Sequence, residues 1–192
     1  RYFDVSKKRS TKEALLDTAI ALFQQQGFEN VTIDDICNKN GVTKTAFYYY
    51  FKSKDDLIRD YFSTDDMLSS DELASILDAE DYVEQIIRCM EIRVVRIAKA
   101  GVALTKELYR IYLKDEITPL LSEPTGLSEV IMKAIERAQT AGQLTPTISS
   151  DLIHTALCCL YNGTILKWII DAGNFDLIKE TRKLCALILT QP

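Results

Sequence analysis

The residues from Thr32 to Phe51 constrain the fold more than any other part of the chain, because they predict two short helices joined by a tight turn. Thr32 and Thr43 each precede one of the helical segments as an N-cap residue. Gly41 lies between the segments and tolerates the positive φ that such a turn requires. Cys37 is small enough for the second helix to cross the first beside it. This window therefore predicts a helix-turn-helix.

The rest of the sequence predicts an all-α protein. Only 7 glycines and 4 prolines interrupt 192 residues, which favours long helices over a sheet with many turns. A capping-box pattern at Ser10 predicts a first helix that ends near Gln26, and another helix begins after Ser53. Beyond these we predict a loop that contains Pro119 and Pro124. Further helices are predicted near residues 79–99, 102–115, 128–141, 150–171 and 176–190.

The second helix of the predicted motif has an unusual outward face. At about 100° per residue, three side chains share an inward arc: Ala46, Phe47 and Tyr50. Four side chains form the outward face or its edge: Lys44, Thr45, Tyr48 and Tyr49. This face carries no carboxylate, whereas an ordinary solvated helix face usually does. Its chemistry is typical of a helix that approaches phosphates and base edges in a DNA major groove.

Each residue of this interface has a predicted role. Lys44 is placed to contact guanine, and Thr45 to contact a base edge. Tyr48 and Tyr49 are predicted to donate to phosphates or to pack on a thymine methyl group. The remaining predicted phosphate contacts come from the two helix starts and the basic segment that follows: Thr32, Thr43, Lys52 and Lys54. The alternative is that the tyrosines only pack and the lysines are only solvated, and we adopt it for Tyr50.

The charge distribution agrees with one end of the chain meeting DNA. The net charge is −5, yet residues 1–54 contain nine lysines and arginines against six acidic residues. The remaining residues contain fourteen basic against twenty-two acidic side chains. A basic end on an acidic body is expected when only that end contacts phosphate.

The N-terminal segments resemble a known family. The stretch 14–23, followed by Gly27-Phe28, 31–36, 41–44 and 47–57, resembles the N-terminal signature of the TetR family of regulators. The resemblance implies a three-helix DNA-binding domain at residues 1–54. It also implies a helical effector-binding and dimerisation domain at residues 55–192, with a helix near 54–62 linking the two. A bound inducer would then release the protein from its operator.

The C-terminal helices predict a dimer. The helix near 150–171 is apolar almost all round, which predicts burial on every side, in a core and in a subunit interface. Together with the helix near 176–190 it would form a four-helix bundle across a two-fold axis. Dimerisation would also place two recognition helices on one palindromic site of double-stranded DNA.

Candidate effector-pocket residues lie on three of the C-terminal helices. They are apolar or aromatic positions with a few polar groups: Met90, Arg93, Tyr109, Tyr112, Tyr161 and Asn162. The alternative for each is an ordinary place in the core. Arg93 has two predicted partners, an anionic effector or a carboxylate such as that of Glu107.

Other classes of function have little support. The five cysteines lack the spacing of a metal site, and His154 is the single histidine. No phosphate-binding or zinc-protease motif is present, so we expect neither catalysis nor a metal or cofactor. We found no segment apolar enough to cross a membrane and no signal peptide, and we expect a cytoplasmic protein.

Three hypotheses therefore remain. The first is a DNA-binding regulator, a repressor released from a palindromic operator by a small-molecule effector. The second is a DNA-binding regulator without such a ligand, controlled by a protein partner. The third is a helical enzyme or small-molecule-binding protein in which the helix-turn-helix is incidental.

Overall fold

The computed structural model describes residues 10–63, 68–115 and 126–189, and within these ranges the chain is helical without strands. The predicted all-α fold is confirmed. The chain divides into two compact units, residues 1–64 and 65–192. The fourth helix lies in the first unit, whereas we treated it as a link that follows a domain boundary at residue 54. The predicted loop at Pro119 and Pro124, and residue 190 of the predicted last helix, lie outside the described residues.

The first unit contains four helices: α1 (Thr11–Gln26), α2 (Ile33–Asn40), α3 (Lys44–Tyr50) and α4 (Lys54–Ser63). Helix α1 packs against α2 and α4, and α2 packs against α3. Ser10 and Thr32 form capping boxes, which satisfy the free amides at the starts of α1 and α2. The core contains large side chains from all four helices: Leu15, Phe23, Ile36, Phe47 and Leu57.

Lys54 fastens the start of α4 to the turn between α1 and α2. Its ammonium donates hydrogen bonds to the carbonyl oxygens of Phe28, at 2.7 Å, and Val31, at 2.8 Å. The same ammonium lies 4.4 Å from the centre of the Phe28 ring. These contacts satisfy turn carbonyls that no helix hydrogen bond reaches. Lys54 therefore has a structural role in this unit, and its predicted contact with a phosphate stays a prediction.

The second unit contains five helices among its described residues: α5 (Ser70–Leu77), α6 (Tyr82–Lys114), α7 (Leu127–Thr140), α8 (Ser150–Ile170) and α9 (Leu177–Leu189). Helix α6 contacts each of the other four. The core cluster combines apolar side chains of α6, α7 and α8: Ile86, Met90, Ile131, Ile135 and Leu157. Helix α6 is therefore the central element of this unit.

Helix α6 joins the two helices that we predicted near 79–99 and 102–115. Gly101 interrupts it with φ 83° and ψ 165°, a conformation that L side chains rarely adopt. The hydroxyl of Thr105, which is fully buried, donates to the Gly101 carbonyl oxygen at 2.8 Å. The kink is thus stabilised from within the helix.

Helix α8 is more exposed within one chain than we predicted. Leu152, Leu166 and Ile170 are exposed in the single chain, so burial on every side requires the predicted subunit interface and stays a prediction. Contrary to our expectation, this helix is long and apolar enough to cross a membrane. About a third of its most apolar 18-residue stretch (33%) is buried within the chain. Core and interface helices meet the same criterion. Helix α8 packs against α6, α7 and α9.

Two buried threonines provide a matched test of hydrogen bonding in the second unit. Thr105 and Thr181 are both fully buried, but the Thr181 hydroxyl has no hydrogen-bond partner among the residues described there. Replacing Thr181 by Val should raise the free energy of unfolding by up to about 1 kcal/mol, because an unsatisfied polar group is removed at constant shape. Replacing Thr105 by Val should lower it by about 1–2 kcal/mol, because a buried carbonyl loses its donor. Urea unfolding measures both changes, and shifts of the same sign would contradict this assignment.

The structural role of Lys54 predicts that Lys54→Met destabilises the protein. The apolar stem is kept, but two part-buried carbonyl oxygens lose their donor, and the expected loss is about 1–3 kcal/mol. Lys52→Met is the control, because Lys52 is exposed and its replacement should change stability by less than about 0.5 kcal/mol. Thermal unfolding compares the two variants. Equal melting temperatures would show that the Lys54 contacts do not stabilise the fold.

Candidate nucleic-acid interface

The turn between α2 and α3 has the geometry that the sequence predicts. Gly41 adopts the left-handed conformation, with φ 64° and ψ 32°, at the end of α2. The amide of Val42 donates to the Cys37 carbonyl oxygen at 3.1 Å, which closes the turn. The Thr43 hydroxyl then accepts from the Ala46 amide at 3.2 Å and starts α3. The two helices thus form a helix-turn-helix.

Phe47 and Phe51 hold α3 in place. Phe47 is fully buried, and its ring centre lies 5.9 Å from that of Phe51. The structure corrects our prediction that Tyr50 points inward, because 38% of Tyr50 is exposed and its ring packs edge-on against Tyr49. Helix α3 ends at Tyr50, and Phe51 continues in an extended conformation that carries its ring into the core. Phe51 therefore fills the position that we assigned to Tyr50.

The predicted reading face lies on the surface of the first unit. Tyr49 is 81% exposed and Tyr48 is 53% exposed, and Thr45 and Lys44 are exposed as well. The Tyr48 ring packs edge-on against Phe47, which restricts its orientation. An exposed tyrosine ring gains little within a single chain. The face is thus available to a partner, and its contacts with DNA stay a prediction.

Lys44 has a carboxylate neighbour that helical periodicity did not reveal. Its ammonium lies 2.9 Å from a carboxylate oxygen of Asp34, which belongs to α2, and both side chains are more than half exposed. The hydrogen bond to Asp34 raises the pKa of Lys44 above its usual value. The outward face of α3 thus lacks carboxylates of its own but has one at its edge. An exposed ion pair of this kind is weak and can exchange its partner for a phosphate or a base.

The predicted phosphate contacts occupy different environments. Thr32 is engaged by Asp35: the Thr32 hydroxyl donates to its carboxylate at 2.6 Å, and the Thr32 amide donates at 2.8 Å. These hydrogen bonds lower the pKa of Asp35, so that a carboxylate already lies at the start of α2. Thr43 has no acidic residue in the first turn that follows it. Lys52 is exposed, which leaves its ammonium available to a phosphate.

The structure brings five of the six predicted pocket residues together between α6 and α8. The guanidinium carbon of Arg93 lies 4.4 Å from the centre of the Tyr161 ring. The Tyr109 hydroxyl donates to the Asn162 side-chain oxygen at 2.8 Å, and its ring centre lies 6.2 Å from that of Tyr112. Burial raises the pKa of both Tyr109 and Tyr112, so both are neutral phenols. We call these five residues the α6–α8 cluster.

The other pocket predictions have clear outcomes. Met90 is almost fully buried in the apolar core. The predicted pairing of Arg93 with Glu107 is wrong, because the Glu107 carboxylate binds Arg110 at 2.6 Å, three residues along α6. Among the described residues, no group of three or more potential metal ligands is close enough to hold an ion.

A separate open groove lies beside the start of α6 in the second unit. Its volume is about 450 Å³, and it contains none of the predicted pocket residues. Arg182 crosses it and binds Glu84, at 2.8 Å, and Glu91, at 3.0 Å. This ionic network joins α9 to α6. Its charged side chains satisfy one another, which is typical of a structural surface network.

The chain is similar to bacterial regulators over most of its length. It is 24% identical over 188 residues to the probable acrEF/envCD operon repressor of Escherichia coli K12, an alignment that covers 93% of this chain and 85% of that protein. It is also 24% identical over 192 residues to the HTH-type transcriptional regulator TtgR of Pseudomonas putida, covering 91% of this chain and 88% of TtgR. Both relatives are named as transcriptional regulators, and neither name describes an enzyme.

The fold is shared with solved repressor structures. FadR of Thermus thermophilus, described as a TetR family transcriptional repressor in complex with lauroyl-CoA, has a TM-score of 0.67 at 19% identity, and the match covers 93% of each chain. The family model for bacterial regulatory proteins of the tetR family matches residues 15–61, which run from α1 into α4 and contain the helix-turn-helix. The chain thus resembles the TetR family in its helix-turn-helix and in its overall fold, and it is a DNA-binding transcriptional regulator.

Proposed function

We propose that this regulator is a cytoplasmic repressor that binds a palindromic operator as a homodimer and leaves it when a small molecule binds the second unit. The proposal rests mainly on the exposed face of α3, which the turn at Gly41 and the buried Phe47 hold in a fixed orientation. The relative from Escherichia coli is named a probable operon repressor, which supports repression as the mode of action.

The proposed base contacts come from the exposed face of α3. Lys44 and Thr45 lie in its first turn, where a recognition helix reaches base edges in the major groove. Tyr48 and Tyr49 follow one turn later and are exposed for contacts with phosphate or a thymine methyl group. Lys44 would exchange Asp34 for the DNA, since its ion pair is exposed to solvent. Specificity would then depend on Lys44 and Thr45, with the tyrosines fixing the position of α3.

Thr43 and Lys52 are the proposed phosphate contacts at the two ends of α3. Lys52 is exposed, and Thr43 precedes a helix whose first turn lacks an acidic side chain. We do not propose phosphate contacts for Thr32 or Lys54. The Thr32 hydroxyl already donates to the Asp35 carboxylate, and the Lys54 ammonium already donates to carbonyl oxygens of a turn. Direct phosphate contacts from side chains are thus concentrated around α3.

The proposed dimer interface is the exposed apolar side of α8 and α9. Leu152, Leu166 and Ile170 are exposed on α8, and Leu187 is 70% exposed on α9. Gly163, which is also exposed, lies between Leu152 and Leu166 and would allow close approach of a second copy. Pairing of the two helices with those of a second copy would form a four-helix bundle. A two-fold dimer presents two recognition helices and therefore reads a palindromic site.

The proposed effector site is the α6–α8 cluster. Its aromatic rings and few polar groups are typical of small-molecule sites in helical proteins. Thermus thermophilus FadR, which has the same fold, was solved in complex with lauroyl-CoA. Effector binding would release the protein from its operator if the effector binds the DNA-free conformation more tightly than the DNA-bound one.

The DNA contacts predict different effects for two lysine substitutions. Lys44→Ala should weaken binding to a duplex selected by the wild-type protein by about tenfold and relax its base preference, because a base contact is lost. Lys52→Ala should weaken binding to all duplexes similarly and reduce the salt slope by about one, because one phosphate contact is lost. Fluorescence anisotropy at several salt concentrations measures both. Unchanged binding by both variants would contradict the assigned interface.

The dimer interface predicts that Leu166→Glu produces a monomer. A carboxylate at this position would be buried without a partner, which strongly disfavours association. Leu113→Glu is the matched control, because Leu113 is 82% exposed but lies near the end of α6. Light scattering at micromolar concentration should find dimers for the wild type and the control. A monomeric wild-type protein, or a dimeric Leu166→Glu variant, would exclude this interface.

A further inference from the structure

Arg93 is a partly buried cation that forms no ion pair with any residue that the structure describes. It lies in the middle of α6, and its Nη1 atom is buried without a hydrogen-bond partner in the described ranges. The guanidinium stacks on the Tyr161 ring, which stabilises its positive charge. This stacking does not provide an ordinary hydrogen-bond acceptor for the guanidinium N–H groups. A charged donor buried in this way is unfavourable unless a partner completes it.

Other arginines of the same unit have carboxylate partners. Arg88 binds Glu84, Arg96 binds Glu72, and Arg182 binds both Glu84 and Glu91. Acidic residues also outnumber basic ones in residues 55–192. The missing partner of Arg93 therefore does not result from a shortage of carboxylates. It is specific to the place where Arg93 lies.

The groups that face Arg93 are neutral near pH 7. Burial raises the pKa of the Cys89 thiol to about 12, and burial also raises the pKa of Tyr109. Burial and the nearby Arg93 charge lower the pKa of His154, which keeps the imidazole neutral. Asp151, an exposed residue at the start of α8, is a nearby carboxylate whose charge acts on His154 in the opposite direction. The groups that face Arg93 among the described residues thus supply aromatic and weakly polar surface.

The polar groups beside Arg93 are held in fixed positions. The Asn162 side-chain amide donates to the Cys158 carbonyl oxygen at 2.9 Å, which orients its oxygen toward the Tyr109 hydroxyl. Tyr109 and Asn162 therefore satisfy each other across α6 and α8. Arg93 is the member of the α6–α8 cluster whose donor Nη1 is left for a further group.

We infer that the effector carries a carboxylate, which binds the Arg93 guanidinium, on an apolar body that packs against the tyrosines of the α6–α8 cluster. The inference rests on the proposed function, since it names the chemistry of the ligand at the proposed effector site. A carboxylate matches a guanidinium in charge and in planar geometry. Arg93 as a whole is only partly buried, so a rotation of its long side chain opens Nη1 to an incoming ligand.

The charge of one guanidinium favours a carboxylate over a phosphate monoester. A carboxylate carries one negative charge, whereas a phosphate monoester carries between one and two near pH 7. The second charge would be buried among neutral phenols without a counter-charge, which is costly. The cluster therefore discriminates against phosphate monoesters.

Matched ten-carbon probes test the inference. Decanoate, decanol, decylamine and decyl phosphate have the same chain and differ in the head group. Wild-type protein should bind decanoate about tenfold more tightly than decanol, and decylamine most weakly, by isothermal titration. Arg93→Gln should bind decanoate and decanol equally. Tighter binding of decyl phosphate than of decanoate would overturn the choice of a carboxylate.

Arg88→Gln is the control variant on the same helix. Arg88 binds Glu84 and the Ser75 carbonyl oxygen, so its loss should lower thermal stability but leave the preference for decanoate unchanged. Arg93→Gln should lower the melting temperature less than Arg88→Gln does, because Arg93 forms no ion pair with a described residue. Arg93→Lys, which keeps the charge but not the planar fork, should retain part of the preference.

The outcomes separate this inference from the proposed function. Binding of none of the four probes, or equal binding of decanoate and decanol by wild-type protein, overturns the inference. Arg93→Gln should still bind the selected duplex with wild-type affinity when no probe is present. Failure of the wild-type protein to bind DNA would instead contradict the proposed function as a repressor.

Discussion

The burial of Phe47 determines the orientation of α3, and every proposed DNA contact depends on that orientation. With Phe47 and Phe51 in the core, the opposite side of α3 carries Tyr48 and Tyr49 into solvent. The left-handed conformation of Gly41 sets the direction in which α3 leaves α2. A rotation of α3 by one residue would move a tyrosine into the core and remove the reading face. The interface is therefore a consequence of packing on the buried side.

The arrangement of the second unit depends on helix α6. It contacts every other described helix of that unit, and the kink at Gly101 divides it into two segments. The segment before the kink carries Arg93, and the segment after it carries Tyr109 and Tyr112. Because the Tyr109 hydroxyl binds Asn162 of α8, the second segment is fastened to α8 near the Arg93 guanidinium. The proposed ligand site thus lies beside the kinked central helix, where a small change of packing affects several helices together.

Local patterns in the sequence predicted local structure well. The caps at Thr32 and Thr43, the turn at Gly41 and the all-α fold depend on neighbouring residues and agree with the structure. Periodicity failed for Tyr50, because α3 ends there and Phe51 leaves the helix as an extended residue. It also could not reveal the carbonyl partners of Lys54, which lie 23 and 26 residues away in the sequence. Such contacts depend on how the helices pack against one another, and the spacing of residues within one helix does not predict that packing.

Three features of the chain are unfavourable for an isolated protomer, and each requires a different partner. Exposed tyrosines on α3 gain nothing from water beyond solvation of their hydroxyls, but they suit stacking and hydrogen bonding on DNA. Exposed leucines and isoleucines on α8 and α9 lose free energy in water and recover it against a second copy. The buried Arg93 donor lacks an acceptor in the part of the chain that the structure describes, and the proposed ligand would supply one. DNA, a second protomer and an anionic ligand would complete these surfaces. In the proposed repressor, occupancy of one site would then alter the stability of the others.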